Sequence, residues 1–313
     1  MSWILLTNDD GIDANSLQIL VDRLHERGHK LVVFAPSENN SAVSMKISLG
    51  IPLTVVNRND VRENVHQYAI GGTPCDCVIA ALDGGLKKLL PGIIPKLVVS
   101  GINLGPNMSQ DAYHSGTMAA AREAGMYGVP AIAASWSSFD PEGMEISVDA
   151  TVGLVEAALA VLPESPANLN RPHIDINEPH LTNWPKNSDR LWSDEPISAL
   201  RNAFAAGEMF LNLNVPPEWN GKYSSTRLGM RWYRNAITFS DDTSTFKLGG
   251  SSIDVDEVER GDVDADMEGM ASISCLPSWP QTHPLEADVE LLAWSLENSP
   301  EGLPIWLQPV VNT

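Results

Sequence analysis

The chain repeatedly spells a short, unbroken apolar run followed at once by a polar loop. Residues 3–7, Leu31-Val32-Val33-Phe34-Ala35, Lys96-Leu97-Val98-Val99 and Pro130-Ala131-Ile132-Ala133-Ala134 are such runs. Runs of this length without a polar break suit strands buried on both faces, as in a parallel sheet covered by helices. Between the first two lies a segment of helical spacing: Leu17, Ile19, Leu20, Val21 and Leu24, ended by Gly28. Strand, helix and strand in alternation predict a doubly wound α/β core. In such a sheet the loops at the carboxyl ends of the strands gather on one edge, and ligands bind there.

The rest of the chain extends this frame. Residues 53–56 and 68–70 read as short strands, and Gly71-Gly72-Thr73-Pro74 opens a helix running to about Leu90. A loop over 100–114 precedes a helix from Ser115-Gly116-Thr117 to near Gly128, and a helix from about Val148 to Leu162 closes this half. Composition shifts at Pro163, and 163–200, dense in Pro, Asn and Trp, reads as irregular. Phe210 to Pro216 reads as a strand, 228–275 as extended hairpins or arms with an acidic stretch from Asp254 to Glu268, and 284–297 as an amphipathic helix. The expected division is an α/β core over 1–165 and an irregular insertion with strands, arms and a helix over 166–313.

Composition excludes several classes. Forty acidic against twenty basic residues leave a formal net charge of −20, a field that repels a nucleic-acid duplex. A phosphate site in such a chain needs a cation to reverse the sign locally. No apolar run is long enough to span a bilayer, and the N-terminus shows neither a basic region nor a small-residue cleavage site, so a cytoplasmic location is expected. Three cysteines, Cys75, Cys77 and Cys275, argue against a disulfide framework and read as small buried thiols.

Three polar runs carry the candidate chemistry: Asn8-Asp9-Asp10-Gly11, Pro36 to Ser44, and Ser100-Gly101-Ile102-Asn103. Viewed singly, each has an ordinary explanation: Asp-Asp-Gly leaves a strand and caps a helix, Ser41 is a solvated loop serine, and Asn103 stabilises a turn. Brought together on one edge, Asp9, Asp10, Ser41 and Asn103 form an all-oxygen nest for a hard divalent cation. Ser115-Gly116-Thr117 presents free amides at a helix N-terminus, where an anion is held. His114 is read as a rim residue. No Gly-x-Gly-x-x-Gly follows the first strand, which argues against a dinucleotide-dependent dehydrogenase.

These residues, in this order, resemble the SurE family of metal-dependent nucleotidases. The matching runs are Ile4 to Gly11, Ala35-Pro36 through Ser41, Gly72-Thr73-Pro74 with Asp76-Cys77-Val78, Val99 to Asn107, Ser115-Gly116-Thr117 and Gly128-Val129-Pro130-Ala131. Leu211 to Pro216 and the stretch from Glu268-Gly269 to Ser272-Ile273 fit more weakly. The resemblance implies a Rossmann-like three-layer α/β/α sandwich whose C-terminal hairpin and helix region is exchanged between subunits of a homodimer or homotetramer. It implies one divalent cation per subunit, Mg2+ or Mn2+, held by Asp9, Asp10, Ser41 and Asn103. Asn8, Asn107 and Ser115 join Asp9 in the implied catalytic set, with Gly116 and Thr117 on the phosphate of the substrate. The implied activity is hydrolysis of nucleoside 5'- or 3'-monophosphates; a non-catalytic nucleotide-binding module of the same fold is the alternative. Asp9 is the candidate general base, with direct nucleophilic attack left open, and loops 36–50 and 100–114 are expected to form the pocket walls and a lid. The chain departs from the family pattern at His114, where the family has tyrosine, at Ser274 to Trp279, where a Thr-Pro-Leu-His run is replaced, and over 163–200.

Overall fold

The computed structural model describes residues 2–164, 195–249 and 252–308. Chain order runs β1 (Trp3–Thr7), α1 (Asn15–Glu26), β2 (Lys30–Pro36), β3 (Val55–Asn57), β4 (Val65–Ile70), α2 (Pro74–Ala80), α3 (Leu86–Leu89) and β5 (Pro95–Leu104). It continues through α4 (Asp111–His114), α5 (Gly116–Met126), β6 (Ala131–Trp136), α6 (Glu145–Val161), α7 (Pro196–Ala205), β7 (Met209–Val215), β8 (Tyr223–Thr226) and β9 (Met230–Arg234). Last come β10 (Ile237–Phe239), β11 (Phe246–Leu248), β12 (Ser252–Asp256), α8 (Asp262–Met267), β13 (Ala271–Pro277) and α9 (Val289–Trp294).

A nine-stranded sheet in the order β3-β4-β2-β1-β5-β6-β7-β13-β8 forms the middle layer. Its centre, from β4 through β7, is parallel throughout. Side chains alternate across each strand. Ile4, Leu6 and Val33 pack with Leu17 and Leu20 of α1 and Val152 and Val155 of α6. Leu5, Val32 and Val98 face the other way, with Cys77 and Val78 of α2 and Met118 and Ala121 of α5. Both sides of the sheet are dry, which is why its strands read as continuous apolar runs. This is the three-layer α/β sandwich the sequence pattern implies.

From β1 the chain winds outward through β2 to β4, then crosses to β5 and winds the other way through β6. The strand order therefore reverses between β1 and β5, and the crevice at their carboxyl ends is the topological switch point. The loops leaving β1, β2 and β5 all open there. Strands β7, β13 and β8, from the second half of the chain, extend the same sheet; the division at 165 falls outside the described residues.

Several local expectations are corrected. Ser100 to Asn103 is strand rather than loop, because β5 keeps pairing with β6 (Asn103↔Ser135, Leu104↔Trp136) after a register shift. The helix from Pro74 breaks at Asp83 and Gly84, which leave helical backbone. The end of 163–200 holds α7, started by Pro196 and capped by Glu195, whose carboxylate accepts the amides of Ile197 and Ser198; 165–194 lies outside the described residues. The acidic stretch contains α8, and the last helix shortens to Val289–Trp294 behind the Asp288 cap. The expected hairpins are present: β9 pairs with β12 and β10 with β11, both antiparallel, in an arm apart from the main sheet. No helix among the described residues is long and apolar enough to cross a membrane.

Gly101 is where β5 most needs the absence of a side chain. Its φ is +141°, and a Cβ there would lie 2.4 Å from the Ala134 carbonyl oxygen of β6. That contact is with backbone, which cannot swing aside as a side chain can. Gly101→Ala is expected to cost about 1–3 kcal/mol or more of unfolding free energy, read as a lower denaturation midpoint; an unchanged midpoint would contradict the close approach of β5 and β6.

Candidate functional site

The site begins where β1 ends. The Asn8 side chain closes the turn, its Nδ2 donating to the Gly11 carbonyl (2.8 Å) and its Oδ1 accepting the Gly11 amide (3.2 Å). The loop after β2 is knitted onto this turn: the Ile12 amide donates to the Pro36 carbonyl (2.8 Å) and the Asn40 amide to the Asp9 carbonyl (2.6 Å). Further along, Ser44 donates from its amide to the His114 carbonyl (3.0 Å) and from Oγ to the Tyr113 carbonyl (2.8 Å). Loop 36–50 is thus stitched to the loops after both β1 and β5.

Asp9 is buried and sits against the first turn of α5. Its Oδ1 accepts a 2.6 Å hydrogen bond from Thr117 Oγ1. Gly116 comes so close that a Cβ there would lie 3.0 Å from Asp9 Cβ and 3.2 Å from Oδ2, so glycine is what lets the carboxylate reach the helix end. Burial raises the Asp9 pKa to about 6; the Asp10 charge adds to the rise, and the Thr117 bond opposes it. Asp10 is half-buried. Its Oδ1 accepts from Asn39 Nδ2 (3.1 Å), while its Oδ2 is buried and accepts no hydrogen bond. Burial pushes this carboxyl up as well, partly offset by the Leu104 amide and by Asn39.

The two neutral candidates come from different elements, loop 36–50 and the end of β5. Ser41, exposed on loop 36–50, donates from its amide (2.9 Å) and from Oγ (2.8 Å) to Asn39 Oδ1. Asn39, missed in the sequence reading, is therefore the bridge between Ser41 and Asp10; its signal was its place in the Asn- and Ser-rich loop. Asn103 lies at the end of β5 beside Leu104, whose amide influences Asp10, and its Nδ2 donates to the Gly105 carbonyl (2.8 Å).

The start of α5 is where the sequence reading expects an anion. Ser115 Oγ accepts the Met118 amide (3.0 Å) and caps the helix. Asn107 is buried and fixed on every side: its amide donates to Asn214 Oδ1 (2.7 Å), its carbonyl accepts from Asn212 Nδ2 (2.9 Å) and Asn214 Nδ2 (3.3 Å), and its Nδ2 donates to Ser135 Oγ (2.8 Å). The sequence reading missed Ser135, Asn212 and Asn214 as site neighbours, although two asparagines alternating in an apolar strand were visible. His114 is exposed.

A divalent cation fits this edge. Adjacent carboxylates with raised proton affinity, Asp9 buried and Asp10 half-buried with one buried oxygen without a donor, form an acceptor set short of positive charge. No three His, Cys, Asp or Glu side chains cluster as a metal site among the described residues. An ion here would take its remaining ligands from neutral oxygens and water, the habit of a hard cation rather than zinc.

Comparison with known proteins bears on the family and the fold. Residues 4–235 match the family model described as Survival protein SurE. The chain is 30% identical over 239 residues to the 5'-nucleotidase SurE of Prochlorococcus marinus, covering 75% of this chain and 73% of that protein. It is 32% identical over 275 residues to the 5'-nucleotidase SurE of Pelotomaculum thermopropionicum, covering 87% of each. The crystal structure of the Sure protein from Aquifex aeolicus superposes with a TM-score of 0.60 at 24% identity, over 90% of this chain and 95% of that one; this is a likeness of fold.

The raised Asp9 pKa has a consequence for the metal-free protein. A carboxyl at about 6 in the folded state and at its ordinary value of 3.8 when unfolded binds protons more tightly when folded. It therefore lowers stability as pH rises through that interval, and the full cost remains above it. In chelator, Asp9→Asn is expected to be more stable than the parent at pH 7.5, by on the order of 1–3 kcal/mol. It should also flatten the loss of stability between about pH 4 and 6. Denaturation across pH checks both; a destabilised Asp9→Asn at pH 7.5 would contradict the assignment.

Proposed function

Because the chain belongs to the SurE family, we propose that it is a phosphomonoesterase that hydrolyses nucleoside 5'-monophosphates to nucleoside and phosphate. A single divalent cation per subunit, Mg2+ or Mn2+, would be held by Asp9, Asp10, Ser41 and Asn103. The observation that carries this reading is the adjacent Asp9–Asp10 pair, Asp9 buried and Asp10 half-buried with one buried oxygen lacking a donor, at the sheet's switch point and beside the amino end of a helix.

When bound, the cation supplies positive charge and Lewis acidity in a chain whose formal net charge is −20. The residues supply the rest. The amide end of α5, with Ser115 and Thr117 at its first turn, faces the position where phosphoryl oxygens gather charge in the transition state. Gly116 leaves room for close approach, and the Asn107 carboxamide adds a donor. Asp9 is the general base that takes the proton of the attacking water. Asn8, whose side chain closes the turn around Asp9 and Asp10, holds the two carboxylates in place.

Phosphate release from AMP or GMP should require Mg2+ or Mn2+ and stop on chelation, with 3'-monophosphates assayed in parallel. Asp9→Asn should lower kcat by about 10²–10⁴-fold with the circular dichroism of the folded protein retained. An Asp9→Asn variant of near-parental rate would refute the site, and nucleotide binding without phosphate release under every ion would leave a binding module.

The arm supports assembly. Trp232, Ile237, Phe239, Phe246, Leu248 and Ile253 are exposed on hairpins that do not pack into the main sheet. A concentration of exposed apolar side chains of this kind marks an interaction surface, and its proposed partner is the same arm of a second copy in a homodimer or homotetramer. Sedimentation should give a multiple of the 33.9 kDa chain mass, and Phe239→Asp with Phe246→Asp should shift it to the monomer; a parent monomeric at assay concentration would overturn this.

A further inference from the structure

A row of polar side chains crosses the sheet where nothing in ordinary core packing calls for one. Asn103 of β5 lies in register with Ser135 of β6, Ser135 with Asn214 of β7, and Asn214 with Ser272 of β13. Two residues earlier on β7, Asn212 pairs in register with Ala133 and Ser274. Ser135, Asn212, Asn214 and Ser272 are all essentially inaccessible to solvent. Burying carboxamides and hydroxyls in a sheet interior is costly unless each finds a partner.

Most of that bonding is spent on one residue. Asn214 accepts the Asn107 amide at 2.7 Å and donates to the Asn107 carbonyl at 3.3 Å, so a single carboxamide grips both the donor and the acceptor of this residue's backbone. Asn212 adds a second donor to the same carbonyl at 2.9 Å, and its own Oδ1 accepts nothing. Ser135 Oγ takes one hydrogen of the Asn107 Nδ2 group at 2.8 Å. A carboxamide nitrogen carries two hydrogens. With one committed to Ser135, the plane of the amide is set and the second hydrogen has a defined direction.

We infer that Ser135 and Asn214, with Asn212, are positioning residues that act through Asn107: they fix its backbone and its carboxamide plane so that the remaining N–H meets a phosphoryl oxygen of the substrate. The inference rests on the proposed placement of Asn107 at the phosphate. It goes further in assigning a role to residues distant in the chain, 28 positions away for Ser135 and more than a hundred for Asn212 and Asn214, on strands that carry none of the proposed metal donors. The same row begins at Asn103, so phosphate donor and cation donor are referenced to one sheet edge.

The test uses Mn2+-loaded full-length protein and reads inorganic phosphate binding by calorimetry beside nucleotide turnover. Ser135→Ala and Asn214→Ala should each weaken phosphate binding by about tenfold or more, as expected when a donor is left undirected. Mn2+ affinity should stay within about twofold, because no metal donor is removed. In an Asn107→Ala background, Ser135→Ala should add nothing, since its whole effect passes through the lost carboxamide. Additive losses in that double variant, a parallel fall in Mn2+ affinity, or unchanged phosphate binding would each overturn the inference. If Asn214→Ala fails to fold, Ser135→Ala and the double variant still decide. If the parent binds phosphate but cleaves no nucleotide, the proposed function fails while the phosphate readout continues to judge the positioning role.

Discussion

The hydrogen bond from Thr117 to Asp9 joins the two halves of the site. Asp9 belongs to the turn after β1 and Thr117 to the first turn of α5, and they meet at 2.6 Å across the crevice where strand order reverses. The contact brings a buried carboxylate to the positive end of a helix, which is favourable for the anion. Burial still wins, as the pKa of about 6 shows. The fold therefore holds an ionisable pair at a cost, and a functional edge is where such costs concentrate.

Paying that cost requires close backbone approach. Gly116 allows the carboxylate to lie against α5, and Gly101 allows β5 to lie against β6 on the way to Asn103. Asn8 and Asn39 then use side-chain amides where strand pairing has run out, one closing the turn after β1 and the other linking Ser41 to Asp10. Asparagine suits this work because it offers donor and acceptor together without adding charge. In a site already crowded with two carboxylates, that neutrality matters as much as the bonds.

The core was legible because both faces of the central strands are dry. Leu31 to Ala35 and Leu97 to Val99 could hardly be anything else, and the polar loops after them had to lie on the edge where ligands bind. Asp9, Asp10 and the Ser115 cap followed from position. Asn103 was placed in a loop because Ser100-Gly101 reads as punctuation; pairing with Ser135 and Trp136 overrides that local signal. The α7 start was hidden by Pro196, a residue that breaks a helix interior but suits its first turn. Asn212 and Asn214 were visible as alternation, yet only tertiary structure shows that both reach Asn107.

The same loop is fastened from the arm side as well. Asp262, fully buried in α8, accepts the Gly229 amide at 2.7 Å and the Ser109 amide at 3.2 Å. Ser109 Oγ accepts the Arg231 amide at 3.0 Å, and Tyr233 donates to Asp111 at 2.7 Å. The segment from Asn107 to Ser115 therefore lies between β7, which grips its start, and β9, which grips its middle, before it delivers Ser115 to the head of α5. Because β9 is also one strand of the exposed arm, the chain routes its outermost apolar surface and its innermost polar edge through the same nine residues.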